Sequence, residues 1–233
     1  VCSSDLGVLP DSKTFISQFC AAYEQPTLDT VVTVQSSQMI DNATADKEYA
    51  ALERGEKRFG TLQFTAEVAA DSSAIFQMNM LGNGEKISAL KLYKLTANKK
   101  SEYTYGRPAP DALGSASGQW WIASFDNPTV QLHQDTVLEM DKQYVAFFII
   151  HDNDSVFDAD KTDGVIVDPV TMVSTSGTLP TNGGTADPTS NDDDGGSSSG
   201  CTVGSTPSYD LLVLLLGMSA VAAIRVLRRR NEQ

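Results

Sequence analysis

The chain has 233 residues, of which 30 are acidic and 17 are lysine or arginine, giving a formal net charge of -13. This charge argues against a nucleic-acid-binding role, because an acidic surface repels phosphates and no basic patch occurs outside the C-terminal tail. Divalent cations are the more natural partners of such a chain.

The three cysteines are too few for a disulfide framework or for a metal site made of cysteines. Cys2 lies in the first residues, and Cys201 lies in a polar tract near the C-terminus. Cys20 therefore stands alone, and we expect it to be a buried thiol.

Residues 1–6, Val1-Cys-Ser-Ser-Asp-Leu6, are what a common sequencing adaptor translates to. We interpret them as an artefact and not as part of the protein. The true N-terminus and any signal peptide would then precede the sequence, so that the lack of a signal peptide is uninformative.

Residues 7–59 are predicted to form an N-terminal helical or mixed segment, the end of a truncated region. Phe15, Phe19 and Tyr23 recur every four residues, which is typical of a short amphipathic helix over residues 11–25. The β-branched run at 30–35 favours a strand.

Residues 43–58 are rich in Ala, Glu, Lys and Leu, and this composition favours a helix. Asn42 or Thr44 could cap its N-terminus.

Residues 60–173 are predicted to form a β-sandwich module. Apolar side chains recur at every second position, as in half-buried strands: Leu62, Phe64, Ala66, Val68, Phe76, Met78, Met80, Leu90 and Leu92. Turn signals interrupt the pattern at 82–84, 97–100 and 126–128, and further strands are expected at 119–125, 130–132 and 143–150.

The predicted fold class is therefore mainly β, an antiparallel β-sandwich with short N-terminal helices and a single C-terminal hydrophobic helix. About seven to nine strands are expected, at the spacing of a sandwich or barrel.

An aspartate-rich segment, residues 151–169, follows a predicted strand and supplies hard oxygen ligands at the short spacing that calcium requires. The candidate ligands for Ca²⁺ are Asp152, Asp154, Asp158, Asp160 and Asp163. The EF-hand pattern does not fit, because an extra residue precedes the glycine and no glutamate closes the loop. A solvated turn without metal is the alternative.

Trp120 and Trp121 are adjacent, so in a strand they point to opposite faces, and we expect one in the core and the other exposed. Together with Asp158-Ala-Asp160, Asp163-Gly164, Ile166 and Asp168-Pro169, this pair resembles the choice-of-anchor type U domain of bacterial surface proteins. That resemblance implies surface display rather than catalysis.

The C-terminal end contains an apolar run over residues 211–224, followed by Arg225, Arg228, Arg229 and Arg230. The run is short beside the roughly 20 residues of a spanning helix, and it reaches about 17 residues if Arg225 snorkels and Val226 and Leu227 are counted. Basic residues beside such a segment are retained in the cytoplasm, so the bulk of the chain is expected outside it. Residues 208–233 are thus predicted to be a hydrophobic helix with a basic tail.

Residues 174–207 are predicted to be a disordered linker, because they are almost entirely Ser, Thr, Gly, Pro and Asp. Its end, Ser197-Ser-Ser-Gly200 before Cys201 and Gly204, resembles the Synergist-type C-terminal sorting domain, with Thr202 after the cysteine as a departure. The resemblance implies processing or anchoring near Gly200 and Cys201 by a sorting protease of the envelope, and the hydrophobic tail could be removed.

Catalytic patterns are few: the two histidines, His133 and His151, are far apart, and no nucleophile elbow, zinc-binding helix or phosphate loop occurs. A glycosidase that uses a pair of carboxylates would leave no sequence pattern, so this class of enzyme stays open. We therefore expect a non-enzymatic protein displayed at a bacterial cell envelope and held at the membrane. The alternatives are the anchor end of a larger secreted enzyme and a calcium-dependent adhesin.

Overall fold

The computed structural model describes residues 16–26 and 30–176, and most of these residues lie in strands. This confirms the predicted mainly β fold. The strands form where apolar residues of high β propensity alternate along the chain. The strands are β1 (Ile16–Ala21), β2 (Thr33–Ile40), β3 (Lys57–Glu67), β4 (Ser73–Leu81), β5 (Leu90–Leu95), β6 (Lys100–Glu102), β7 (Thr104–Tyr105), β8 (Gln119–Ser124), β9 (Asn127–Gln131), β10 (Gln143–His151) and β11 (Val165–Ser174).

The strands form two sheets. One sheet has the order β1-β4-β10-β8-β7, with β9 pairing beside β8, and the other has the order β2-β3-β11-β5-β6. All pairs are antiparallel except β7 with β8. Consecutive strands β10 and β11 are therefore the middle strands of different sheets.

The inner faces of the two sheets meet in an aromatic core. Phe64 of one sheet packs against Phe76 and Phe148 of the other, with ring centroids 4.8 and 5.9 Å apart. Phe19 lies 4.7 Å from Phe64 and 5.8 Å from Phe76. All four side chains are almost completely buried, so they supply a large part of the apolar burial that holds the sheets together.

The helix predicted over residues 11–25 is wrong in its described part, where β1 pairs with β4. A spacing of four also places residues on one face of a strand, since four is a multiple of two. A bulge between Ile16 and Gln18 turns both Ile16 and Phe19 into the core, whereas Tyr23 is fully exposed. Cys20 is buried as expected but disulfide-bonded, so it is not a lone thiol.

The helix predicted over residues 43–58 is shorter than expected: α1 covers Asn42–Glu48. Its N-cap is Asp41, whose carboxylate accepts the N–H of Thr44 at 2.9 Å and the hydroxyl of Thr44 at 2.7 Å. The chain then turns through Gly55, at φ 93°, and enters β3.

The predicted boundary at residue 60 does not separate two folding units. Strand β3 begins before it, at Lys57, and strands β1 and β2 pair with β4 and β3. The segment before residue 60 therefore supplies one edge of each sheet.

The expectation that one tryptophan of the adjacent pair is exposed is wrong. Trp120 lies in the core between the sheets, and Trp121 points to the opposite face, but both are at least 97% buried. Trp121 stacks on Phe147 with centroids 5.4 Å apart, in a second apolar cluster with Leu113 and Ala116. The outer face of this sheet is thus covered, and neither tryptophan is free to stack on a ligand.

Within the described residues, no helix is both long and apolar enough to cross a membrane. The linker predicted over residues 174–207 begins too early, because Ser174 is the last residue of β11 and is buried. The rest of the predicted linker from residue 177, and the hydrophobic helix predicted over residues 208–233, lie outside the described residues.

We predict that Phe148→Ala lowers the free energy of unfolding by about 3–5 kcal/mol, because it removes a ring that contacts aromatic residues of both sheets. Urea unfolding of the two proteins measures the difference. Phe125→Ala, at a position 46% exposed, is the control and should cost at most about 1 kcal/mol. Equal losses would contradict the assigned core.

Candidate functional site

The aspartate-rich loop, residues 152–164, connects β10 with β11 and so carries the chain from one sheet to the other. It contains all five predicted calcium ligands. Two of them, Asp152 and Asp158, are buried, with 1% and 3% of their surface exposed. Buried carboxylates need hydrogen-bond donors, and the backbone of the loop itself supplies three of the six that these two aspartates use.

Asp152 joins three segments of the chain. Its Oδ2 accepts the N–H of Asp71 at 2.9 Å, the N–H of Gly164 at 3.0 Å and the side-chain amide of Asn153 at 3.1 Å. Its Oδ1 is buried and has no hydrogen-bond donor among the described residues. One oxygen of this side chain thus fastens the loop to the β3–β4 turn, and the other has unused capacity as an acceptor.

Asp158 holds the second half of the loop. Its Oδ2 accepts the N–H of Asn153 at 2.9 Å, and its Oδ1 accepts the N–H groups of Asp160 at 3.0 Å and Val167 at 3.2 Å. Burial raises the pKa of the Asp158 carboxyl above its ordinary value despite these bonds.

Asp154 caps a turn inside the loop. Its Oδ1 accepts the N–H of Val156 at 2.7 Å and that of Phe157 at 2.8 Å. Burial alone would raise the pKa of this carboxyl, but the hydrogen bonds outweigh it, and the pKa lies below its ordinary value.

The remaining two candidate ligands also serve the loop. Asp160 Oδ1 accepts the N–H of Thr162 at 2.6 Å, and Asp163 Oδ1 accepts the side-chain amide of Asn153 at 2.9 Å. Over residues 16–26 and 30–176, no three His, Cys, Asp or Glu side chains form a group that could hold a metal ion. Calcium at the five aspartates therefore stays a prediction.

A buried polar cluster, Lys94, Tyr103 and Asp168, lies in the core beside this loop. These side chains are at most 1% exposed. Lys94 Nζ contacts Asp168 Oδ1 and also donates to the carbonyl of Val167 at 3.1 Å. The Tyr103 hydroxyl donates to Asp168 Oδ2 at 2.6 Å.

Burial changes the proton affinity of this cluster. Removal from water raises the pKa of the Asp168 carboxyl to about 6, although Lys94 and the Tyr103 hydroxyl favour the charged form. Burial also raises the pKa of the Tyr103 hydroxyl well above its ordinary value, and the neighbouring Asp168 adds to this effect. Tyr103 therefore acts as a hydrogen-bond donor to the carboxyl.

The loop and the buried cluster are connected through Val167 and Phe157. The Val167 N–H donates to Asp158, while its carbonyl accepts from Lys94. The Phe157 ring lies 4.5 Å from the Tyr103 ring. Folding of the loop thus closes the cluster on one side.

Sequence reasoning missed Lys94 and Tyr103. Lys94 continues the alternation of Leu90 and Leu92, so the pattern places a lysine on a core-facing position. Asp168 stands likewise between Ile166 and Val170 in β11. Charged residues are almost never fully buried unless they are paired. Two charged residues of opposite sign at core-facing positions are therefore the signal that could have identified this pair.

The predicted processing and anchoring residues lie outside the described residues: Gly200, Cys201, Gly204, Arg225, Arg228, Arg229 and Arg230. Comparisons with protein-family models, with curated proteins and with solved structures found no match to this chain.

We predict that Asp154→Ala lowers the free energy of unfolding by about 1 kcal/mol near neutral pH, because two backbone N–H groups lose their acceptor. A lowered pKa in the folded state means that the charged carboxylate stabilises the fold above the unfolded pKa of about 3.9, and that this contribution is lost as the pH falls further. The cost of Asp154→Ala should therefore shrink in acid.

Asp154→Asn is the matched control for this experiment, because its side-chain oxygen still accepts hydrogen bonds but does not ionise. Denaturant unfolding of the wild type, Asp154→Ala and Asp154→Asn between neutral and acidic pH measures both the cost at neutral pH and its decrease in acid. A cost for Asp154→Ala that grows in acid would contradict the assigned capping role.

Proposed function

We propose that the chain is a non-enzymatic protein displayed at a bacterial cell envelope and anchored through its C-terminal tail. The observation that carries this proposal is the order of elements in the sequence: the Gly-Ser tract ending at Cys201, the apolar run at 211–224, and the arginines from Arg225 to Arg230. This order resembles a sorting signal, and the arginine cluster favours a cytoplasmic tail with the bulk of the chain outside.

The β-rich part of the chain supports a display role over a catalytic one. In the described residues, the carboxylates of the aspartate-rich loop accept hydrogen bonds from backbone groups and fix the path of the chain. His133 lies in an exposed contact with Asp135, whereas His151 Nδ1 donates to the carbonyl of its neighbour Asp152. These contacts are those of structural groups.

The anchoring proposal predicts a new C-terminus near Gly200 and Cys201 in protein taken from its native envelope, because a sorting protease would cut between the polar tract and the apolar run. Mass spectrometry of the envelope fraction measures this. Cys201→Ala is the control and should retain the tail through Arg230.

An intact tail in wild-type protein from the envelope would leave a simple transmembrane anchor and remove the sorting protease from the proposal. Release of unprocessed protein into the soluble fraction would overturn anchoring altogether.

A second candidate function is a calcium-dependent binding module, favoured by the buried Oδ1 of Asp152 that lacks a donor among the described residues. An anionic oxygen with unused capacity is the kind of ligand that Ca²⁺ takes. In this proposal the ion would be held by Asp152 together with other aspartates of the loop.

We predict that millimolar calcium then raises the melting temperature of the full chain, because the ion binds the folded state only. Asp152→Asn should remove the rise, and Asp126→Asn, at an exposed turn, should keep it. Thermal unfolding with calcium and with a chelator measures the difference. Identical melting curves for the wild type under both conditions would reject calcium binding.

A further inference from the structure

The two charged residues of the buried cluster lie on neighbouring strands and on the same face. Lys94 in β5 is directly opposite Val170 in β11, and Asp168 is two residues before Val170. Lys94 and Asp168 are therefore diagonal neighbours, within reach of a long side chain. The structure brings Nζ against the carboxyl, in a site where the two side chains are 1% and 0% exposed.

We propose that Lys94 and Asp168 join covalently, through an isopeptide bond between Nζ of the lysine and Cγ of the aspartate, with release of one water molecule. The proposal concerns the strength of the β-rich part and does not rest on the proposed envelope function.

The reaction needs no oxidant, reductant or further reactant. One of the three ammonium protons first moves from Nζ to the carboxylate, and the lone pair of the neutral Nζ then attacks Cγ. The electron pair of the Cγ–Oδ1 bond leaves with Oδ1. In total, two of the three protons depart with Oδ1 as water, and one remains as the amide N–H. The charged pair and the products both have zero net charge, so the step is balanced.

The surroundings favour this reaction in its first step. Transfer of one proton from Nζ to the carboxylate cancels both charges, and a buried apolar site disfavours separated charges. Burial raises the pKa of the Asp168 carboxyl to about 6, which favours the protonated form that can lose water. The Tyr103 hydroxyl, donating to Oδ2 at 2.6 Å, polarises the carbonyl and stabilises the negative charge that develops there during attack.

The product would also be fully hydrogen-bonded at this site. Lys94 Nζ already donates to the carbonyl of Val167, and the amide N–H can keep that bond. Asp168 Oδ2 already accepts from Tyr103, and the amide carbonyl can keep that bond as well. A buried ion pair thus becomes a buried neutral amide without loss of a partner.

Positioning removes most of the entropic barrier. Both groups are held on paired strands, which makes the reaction intramolecular and raises the effective concentration of one group at the other. The new bond would tie the middle strand β11 to β5 and close the chain between residues 94 and 168, so it would restrict the unfolded state as a disulfide does.

The test is mass spectrometry of the freshly produced full chain, denatured and with its cysteines reduced. The expected mass is that of the sequence minus one water, and protease digestion should yield a branched peptide joining the segments that contain Lys94 and Asp168. Trypsin should also fail to cleave after Lys94. A full-length mass equal to the sequence, with the two segments unlinked, overturns the proposal.

Two variants locate the reaction. Lys94→Met, of similar length and without the amine, should have the unmodified mass, and loss of water in this variant would overturn the assignment to Lys94. Tyr103→Phe removes only the hydroxyl, and the mass spectrum of this variant should show unlinked chain beside linked chain. Complete linkage in Tyr103→Phe would overturn the part assigned to Tyr103. The wild-type digest decides the proposal even if a variant fails to fold.

Discussion

The crossing from β10 to β11 is the constraint on which the rest of this structure depends. These strands are the middle strands of different sheets, so the chain between them must pass from one layer to the other at the end of the core. A loop in that place has no strand partner, and backbone carbonyls accept only some of its N–H groups, such as those of Asp154 and Asp158. Asp152, Asp154 and Asp158 supply the missing acceptors. The aspartates that suggest a metal site thus first make the fold possible.

The crossing also explains why charged residues can lie in the core. Asp168 enters the core four residues after the loop ends, beside Lys94 and next to the Tyr103 hydroxyl. An isolated charge there would cost several kcal/mol, and loss of one partner of such a pair typically costs about 3–5 kcal/mol. Because Val167 hydrogen-bonds both to Asp158 and to Lys94, the loop and the pair stabilise each other.

The strands could be predicted from the sequence where one face is apolar and the period is two, as in β3 with Leu62 and Phe64. The same reasoning misassigned β1, because residues four apart share a face in a helix and in a strand alike. It also left one tryptophan of the pair exposed, since no periodicity shows that a short segment around Leu113 covers the outer face of a sheet. Coverage by irregular segments depends on the tertiary path of the chain.

The aspartate-rich segment was expected to follow a strand, and it does follow β10, but strand β11, which begins inside the segment at Val165, was not predicted. The chemistry of the segment could not be read from spacing either. Carboxylates two to four residues apart can surround a cation or cap successive turns, and both arrangements use the same residue types. What separates them is the position of the donors. Gly164 and Asn153 turn their N–H groups toward carboxylate oxygens, whereas Oδ1 of Asp152 is a buried oxygen of the loop that has no donor among the described residues. A calcium ion would have to compete with these backbone donors for the same oxygens. The structural role of the loop therefore sets the limit on how tightly any ion could bind there.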